Sequence, residues 1–373
     1  MTLDLSRVAL LTVVIFGGSV RHSVAQVRSV VIPNTPQCTA CRARLVPLVS
    51  LGDVEGPGTL AGQPWSVVRT SAHFIAAAGF EPTELKVFDR AGTFVETVGR
   101  QGEGPGEYQT VTALVHMPGD TLHVFDRALR RQTVLAPDFT VVRTARLGIA
   151  VHAAWPLDPD HVLVNGWSGG AGSPPPPLHV LGIDGTVITS IESVAGGPPP
   201  IFYALHPELL VRKAAPGRSG GFWSAALNTY ELEGRDRTGA VTQVIRRFPE
   251  WIVPWDTTLS VTPAQPPRTA VSDVRDSPDG RLLVLLDVPA ADWRAALSDP
   301  RSRGDGSQYY EWDPVHAYDT VIEVLDPAAG RLVMTARVAV RLNGFLDAGT
   351  VYAYLEDEVG NPSIAVYELV WDQ

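Results

Sequence analysis

Two cysteines separated by two residues, Cys38-Thr39-Ala40-Cys41, are the only thiols in the chain. Covalent haem attachment would need a histidine at the next position, where Arg42 stands. A redox centre would sit where a strand runs into a helix, and no such pattern surrounds this pair. In an exported chain the pair reads as a local disulfide between Cys38 and Cys41, with free thiols as the other reading. The nine histidines are scattered with no close metal-binding pair. His116, His123, His152, His161 and His179 lie in or beside predicted strands, where a structural role is the simpler one. No Gly-x-Ser-x-Gly, phosphate loop or zinc motif occurs, so no nucleophile, general base, metal or cofactor is expected.

Two short acidic stretches are candidate ion sites. Glu356-Asp357-Glu358 offers carboxylate oxygens of the kind Ca²⁺ prefers, but reads more simply as a solvated turn. Gly102-Glu103-Gly104-Pro105-Gly106-Glu107 could turn backbone amides toward an anion, yet its glutamates repel one. What remains is a set of aromatic and charged residues in long polar segments: Arg100, Glu107, Trp251, Trp255, Trp293, Tyr309, Tyr310, Trp312 and His316. Aromatic rings among acids suit a carbohydrate, a peptide or a partner protein. The same rings would also serve to seal loops onto a scaffold.

The elements that must position them begin after a leader. Arg7 precedes the apolar run Val8 to Val20, and Ser23-Val24-Ala25 has the small residues that a signal peptidase reads. Residues 1–25 are therefore expected to be a signal peptide cleaved after Ala25, leaving an extracytoplasmic protein, secreted or periplasmic. The apolar run is too short to span a bilayer, and no later segment is long and apolar enough. Residues 26–43 form an N-terminal segment carrying the cysteine pair. A formal net charge of −10 with no Lys/Arg cluster excludes a nucleic-acid partner, whose phosphates call for a basic surface.

With 34 Gly, 31 Pro and only 19% charged residues, the composition fits many short strands joined by tight turns. Leu85-Lys86-Val87-Phe88-Asp89-Arg90-Ala91-Gly92-Thr93-Phe94-Val95 is the clearest unit, an alternating strand entering and leaving an Asp-x-x-Gly turn. Related units surround Asp138, Asp184, Asp236 and Asp326. The first four anchoring aspartates recur at about 50 residues, the period of a propeller blade. A second hairpin precedes each unit, which makes four strands per period. Blades 1 to 5 are predicted over 64–99, 109–147, 150–192, 208–248 and 269–338, with an insertion at 289–317 in blade 5. After Gly344 only three strands remain, and Arg44 to Leu51 is the donor of the fourth. The fold class is all-β: a six-bladed β-propeller of four-stranded antiparallel blades over 44–373, closed by an N-terminal strand.

Val98-Gly99-Arg100-Gln101-Gly102-Glu103-Gly104-Pro105-Gly106-Glu107-Tyr108 resembles the secreted bacterial six-bladed propellers related to the NHL-repeat and TolB-like groups. So do Leu51 to Gly58, Tyr318 to Asp326 and Tyr354 to Gly360. The resemblance implies a fold; the family includes binding scaffolds, lyases and hydrolases, and no catalytic motif of it maps onto residues here.

Strand alternation adds one deduction. The tight Asp/Gly turns fall on one face of the disc, and the long segments 100–108, 166–177, 193–207, 249–268, 289–317 and 356–362 fall on the other. Long loops on a rigid scaffold are where binding resides. The expectation is an exported scaffold that binds a ligand or partner protein on its long-loop face. The alternative is an extracytoplasmic lyase or hydrolase at the mouth of the central channel.

Overall fold

Asp89 explains why the repeat turns where it does. Its Oδ1 accepts the backbone N–H groups of Ala91 and Thr93, each at 2.9 Å, and Gly92 takes the left-handed conformation at φ 87° that closes the hairpin. Asp236 binds Thr238 and Ala240 in the same way before Gly239, and Asp184 binds Thr186 beside Gly185. At Asp138 the left-handed position falls to Phe139, at φ 61°, because no glycine is present. One side-chain oxygen satisfying two amides is an economical turn, and its recurrence makes the blades.

A computed structural model describes residues 27–78, 83–167, 177–191, 211–217, 220–255, 262–302, 304 and 308–372. The expected signal peptide lies outside these residues. Two N-terminal strands, β1 (Arg28–Val31) and β2 (Arg42–Leu51), precede blade 1, which consists of β3 (Ser66–Arg69), β4 (His73–Ala77), β5 (Leu85–Asp89) and β6 (Phe94–Val98). Five further antiparallel sheets follow, giving six blades. After β3, the innermost strands are Val111–Met117, Ala150–Asp158, Arg212–Pro216, Ala270–Asp276 and Gly344–Phe345. No helix among the described residues is long and apolar enough to cross a membrane.

The apolar interior is divided into six interfaces between blades. Alternation along a strand sends successive side chains to opposite neighbours. In blade 2, Leu122 and Val124 pack with Ile75 and Val87 of blade 1, while Phe125 packs with Val162 and Val164 of blade 3. Blades 5 and 6 meet through Leu283, Leu285, Val351 and Ala353, and blades 6 and 1 through Val366, Tyr352, Phe74 and Phe88. Each blade is thus buried on both faces, though no blade has a core of its own.

The ring closes as the sequence predicts. β2 runs antiparallel to Pro362–Asp372, with Arg44 opposite Val370 and Leu51 opposite Ile364. It is the outer strand of blade 6. The preceding residues do more than the sequence disclosed. β1 adds a fifth, parallel strand to blade 4, with Arg28 opposite Gln243 and Val31 opposite Arg246. Ile32 is buried between blades 4 and 5. Asn34 accepts from Arg247, whose guanidinium is buried with Glu323 at the same interface. The amides of Gln37 and Cys38 then bind the Leu332 and Val333 carbonyls of blade 5 at 2.9 and 3.0 Å. A disulfide joins Cys38 to Cys41 just before β2 begins. Residues 28–51 therefore cross blades 4, 5 and 6 in turn.

Removing residues 27–51 is expected to lower the thermal midpoint by roughly 10 °C or more, or to drive self-association through the bared edge of blade 6. Calorimetry with light scattering reads both, and a monomer melting at the original temperature would contradict a stabilising closure. Replacing both cysteines with serine opens only a very small loop, so the midpoint should fall by about 2–4 °C. Failure of that variant to fold would show that the bond holds more than its own turn.

Candidate functional site

Six innermost strands that start near one another bring together residues far apart in the sequence. On the long-loop face they surround a cup of about 810 Å³, which narrows into a chamber of about 340 Å³ inside the channel. Trp65 stands just before β3, and Arg127 follows the second strand of blade 2 (Thr121–Asp126). His152 and Lys213 lie in the innermost strands of blades 3 and 4. Arg268 precedes the innermost strand of blade 5, and Arg341 that of blade 6. The wall is completed by the insertion, through Trp312, and by Tyr318 at the start of the third strand of blade 5 (Tyr318–Asp326).

The walls are aromatic. The His152 ring stacks on Trp167 with centroids 5.8 Å apart and meets the edge of Trp65 at 6.2 Å. The Arg127 guanidinium lies 4.9 Å from the Trp65 ring centroid. Across the cup Trp312 and Tyr318 form an edge contact at 5.3 Å, and the Arg341 guanidinium lies 5.2 Å from the Tyr318 ring. The Tyr318 hydroxyl donates to the Arg268 carbonyl at 3.1 Å, which pins the linker to the blade. Trp255 reaches the same rim, but its indole N–H donates to the Thr269 carbonyl at 3.0 Å and the side chain is largely buried.

The charges in this cup are unbalanced. Arg127, Lys213, Arg268 and Arg341 face one carboxylate, Asp287, and Arg341 Nε binds Asp287 Oδ2 at 3.0 Å. The other three cations have no carboxylate partner within salt-bridge distance among the described residues. A second acid, Asp273, lies in the narrower chamber, where Oδ2 accepts the Phe345 amide at 2.8 Å. Burial pushes its carboxyl above the ordinary value, against the pull of Lys213. His152 goes the other way: burial, with Lys213 and Arg127 nearby, lowers its pKa to about 4, so the ring is neutral at pH 7. Its Nδ1 is enclosed without a hydrogen-bond partner. No group of three or more His, Cys, Asp or Glu side chains among the described residues is placed to hold a metal ion.

Of the residues singled out from the sequence, Trp255 and Trp312 line the cup. Trp293 lies behind Trp312, packed with Ala290 and Leu297, and begins a single 3₁₀ turn, Trp293–Ala296. Trp251 is on the same face but in a separate groove of about 640 Å³ beside Pro266 and Pro267. Arg100 and Glu107 are paired with each other at 2.6 Å on two short parallel strands, and neither lines the cup. Tyr309 and Tyr310 stand in the insertion away from the cup. His316 is exposed on the short helix Pro314–Ala317 and contacts Asp313. Phe202 and Tyr203 in the long segment 193–207, and Asp256 in 249–268, lie outside the described residues. Sequence reading passed over Trp65, Arg127, Lys213, Arg268, Asp287, Tyr318 and Arg341, and took His152 as structural. One signal for four of them was present: Trp65, Lys213, Arg268 and Arg341 stand at or just before the start of an innermost strand.

No family model matches the chain, and no curated protein matches it in sequence. Solved structures do. The chain is similar to a member of the DUF4221 family from Bacteroides vulgatus, with a TM-score of 0.58 at 8% identity over 89% of this chain and 99% of that one. It is also similar to a Bacteroides fragilis protein given as exported, with a TM-score of 0.53 at 11% identity over 93% and 100%. At such identities the likeness is one of fold. The protein is a six-bladed propeller with a cationic, aromatic-walled cup at one channel mouth.

His152 supplies a pH test. Its folded pKa of about 4 is below the ordinary value near 6.5, so the unfolded chain takes up the proton first as pH falls. Stability from this group is therefore complete above about pH 6.5 and lost as pH drops toward 4. His123, lowered to about 4 mainly by burial, acts in the same direction. His152→Phe should reduce the loss of melting temperature between pH 7 and 4.5. Proton NMR should place the His152 titration near 4; a value near 6.5 would contradict the enclosed neutral ring.

Proposed function

We propose that this protein is an exported propeller that binds a small anionic ligand in the cup at its channel mouth. The observation that carries this reading is the set of three half-buried cations, Arg127, Lys213 and Arg268, in one aromatic-walled cavity, none with a carboxylate within salt-bridge distance among the described residues. A cation kept partly out of water without a counter-ion is costly, and an incoming anion relieves that cost. The contrast with a chain of net charge −10 makes the concentration of positive charge local. Its volume lies within the roughly 300–1,000 Å³ of small-molecule sites. His152 in the same wall is neutral at pH 7, so it brings no carboxylate-like charge against an anion. Export is supported by the leader-like residues Arg7 to Ala25 and by a disulfide, a bond that persists in oxidising compartments.

The test uses calorimetric titration with carboxylates, sulfates and phosphates of graded size. For any anion that binds, Lys213→Gln and Arg127→Gln should each weaken affinity about tenfold, or about 1.4 kcal/mol. Affinity should also fall as chloride is raised, since screening acts on exposed and half-exposed charge. Asp184→Ala, on the opposite face, should lower the melting temperature and leave affinity unchanged. Equal affinity for an uncharged analogue, or indifference to both substitutions, would end the proposal.

A further inference from the structure

We infer that the anion is a sugar acid, whose hydroxyl groups bind the Asp287–Arg341 pair while its acidic group faces Lys213 and Arg127; this rests on the cup being the anion site. The pair is an anomaly in a cavity otherwise equipped to attract negative charge. Asp287 is 5% exposed, so its carboxylate is almost wholly removed from water. Oδ2 is satisfied by Arg341, but Oδ1 is buried and accepts no hydrogen bond. Ser272 Oγ, in the lining of the same cup, is likewise buried without a partner. With His152 Nδ1, three such atoms belong to residues of this one lining, and because buried polar atoms are nearly always paired, a ligand that opens the side chains over Asp287 gains an acceptor there. A carboxylate oxygen accepts only, and a serine hydroxyl both donates and accepts.

A simple anion cannot answer that wall, because its oxygens would lie against Asp287 as like charges. The occupant must bring an O–H or N–H donor to Asp287 and an acceptor to the neighbouring guanidinium of Arg341. A hydroxyl does both. Adjacent hydroxyls on a ring also present flat C–H faces, and the Trp312 and Tyr318 rings flank the pair, as Trp65 and the His152–Trp167 stack flank the far side. Lys213 lines both the cup and the narrower chamber below it, so a chain of two or three sugar units has room to extend. A peptide would supply N–H donors but fewer flat saturated faces, and its binding is the competing outcome.

Four probes separate the possibilities by titration: a hexuronic acid trisaccharide, the neutral glucose trisaccharide, suberate as an anion without hydroxyls, and triglutamate. The hexuronic acid trisaccharide is expected to bind at least tenfold more tightly than each of the others. Asp287→Asn should erase most of that preference and leave suberate as tight or tighter, because a negative charge is lost. Lys213→Gln should weaken all three anions. Suberate or triglutamate binding as tightly as the sugar acid, with Asp287→Asn without effect, would overturn the sugar assignment and leave the anion site standing. The neutral trisaccharide binding as well as the acidic one, with Lys213→Gln silent, would overturn the anion site itself. Should Asp287→Asn fail to fold, Ser272→Ala reads the same preference: the sugar acid must lose affinity relative to suberate, and an unchanged ratio rejects the inference.

Discussion

Everything in this molecule depends on β2 lying along Pro362–Asp372. A ring of blades stacked face to face has no end to protect only if its first and last strands share one sheet. The apolar clusters hold neighbours together pairwise, and the blade 6 interfaces place Leu369 against blade 5 and Val366 against blade 1. Were blade 6 to lose its outer strand, both interfaces would loosen at once. The channel, and with it the cup, exists only because six innermost strands are held in a circle.

That circle is also what assembles the site. Arg127, Lys213, Arg268 and Arg341 belong to four different blades, and none has another of the four near it in the chain. Blades contribute residues from the same end of their inner strands, so the repeat geometry alone turns distant positions into neighbours. Aromatic rings keep the cations extended and partly dry: Trp65 under Arg127 and Tyr318 under Arg341. Stacking of this kind strengthens an electrostatic site by limiting how far each cation can retreat into solvent.

The fold was legible because its cause is local. Asp89, Asp184 and Asp236 each build a turn from their own backbone, and the alternating runs beside them announce strands. The closing strand was legible from a deficit, since three C-terminal strands required a fourth. The site was legible only in part. Loop length drew attention to the insertion, and of its aromatic residues singled out from the sequence Trp312 alone reaches the cup while Trp293 buttresses it. Arg127 lacked any local mark, and the strand start that marks Lys213 does not reveal its charge as unpaired, because pairing is decided by neighbours from other blades. The parallel pairing of β1 was equally silent: four residues, Arg28 to Val31, with no alternation strong enough to announce a strand.

The path of residues 28–51 across three blades sets an order of events during biogenesis. Asn34 bonds a carbonyl 214 positions later, and Arg44 bonds a residue 328 positions later. These segments must wait for partners more than 200 and 300 positions further along the chain, so the ring cannot lock until Pro362–Asp372 has been made. Contacts of such separation are formed late and slowly. Until that strand exists Arg42–Leu51 has no sheet to join, while the interfaces between blades 1 and 2, 2 and 3, and 3 and 4 need nothing from it, so closure is a separate and final event laid over blades already stacked.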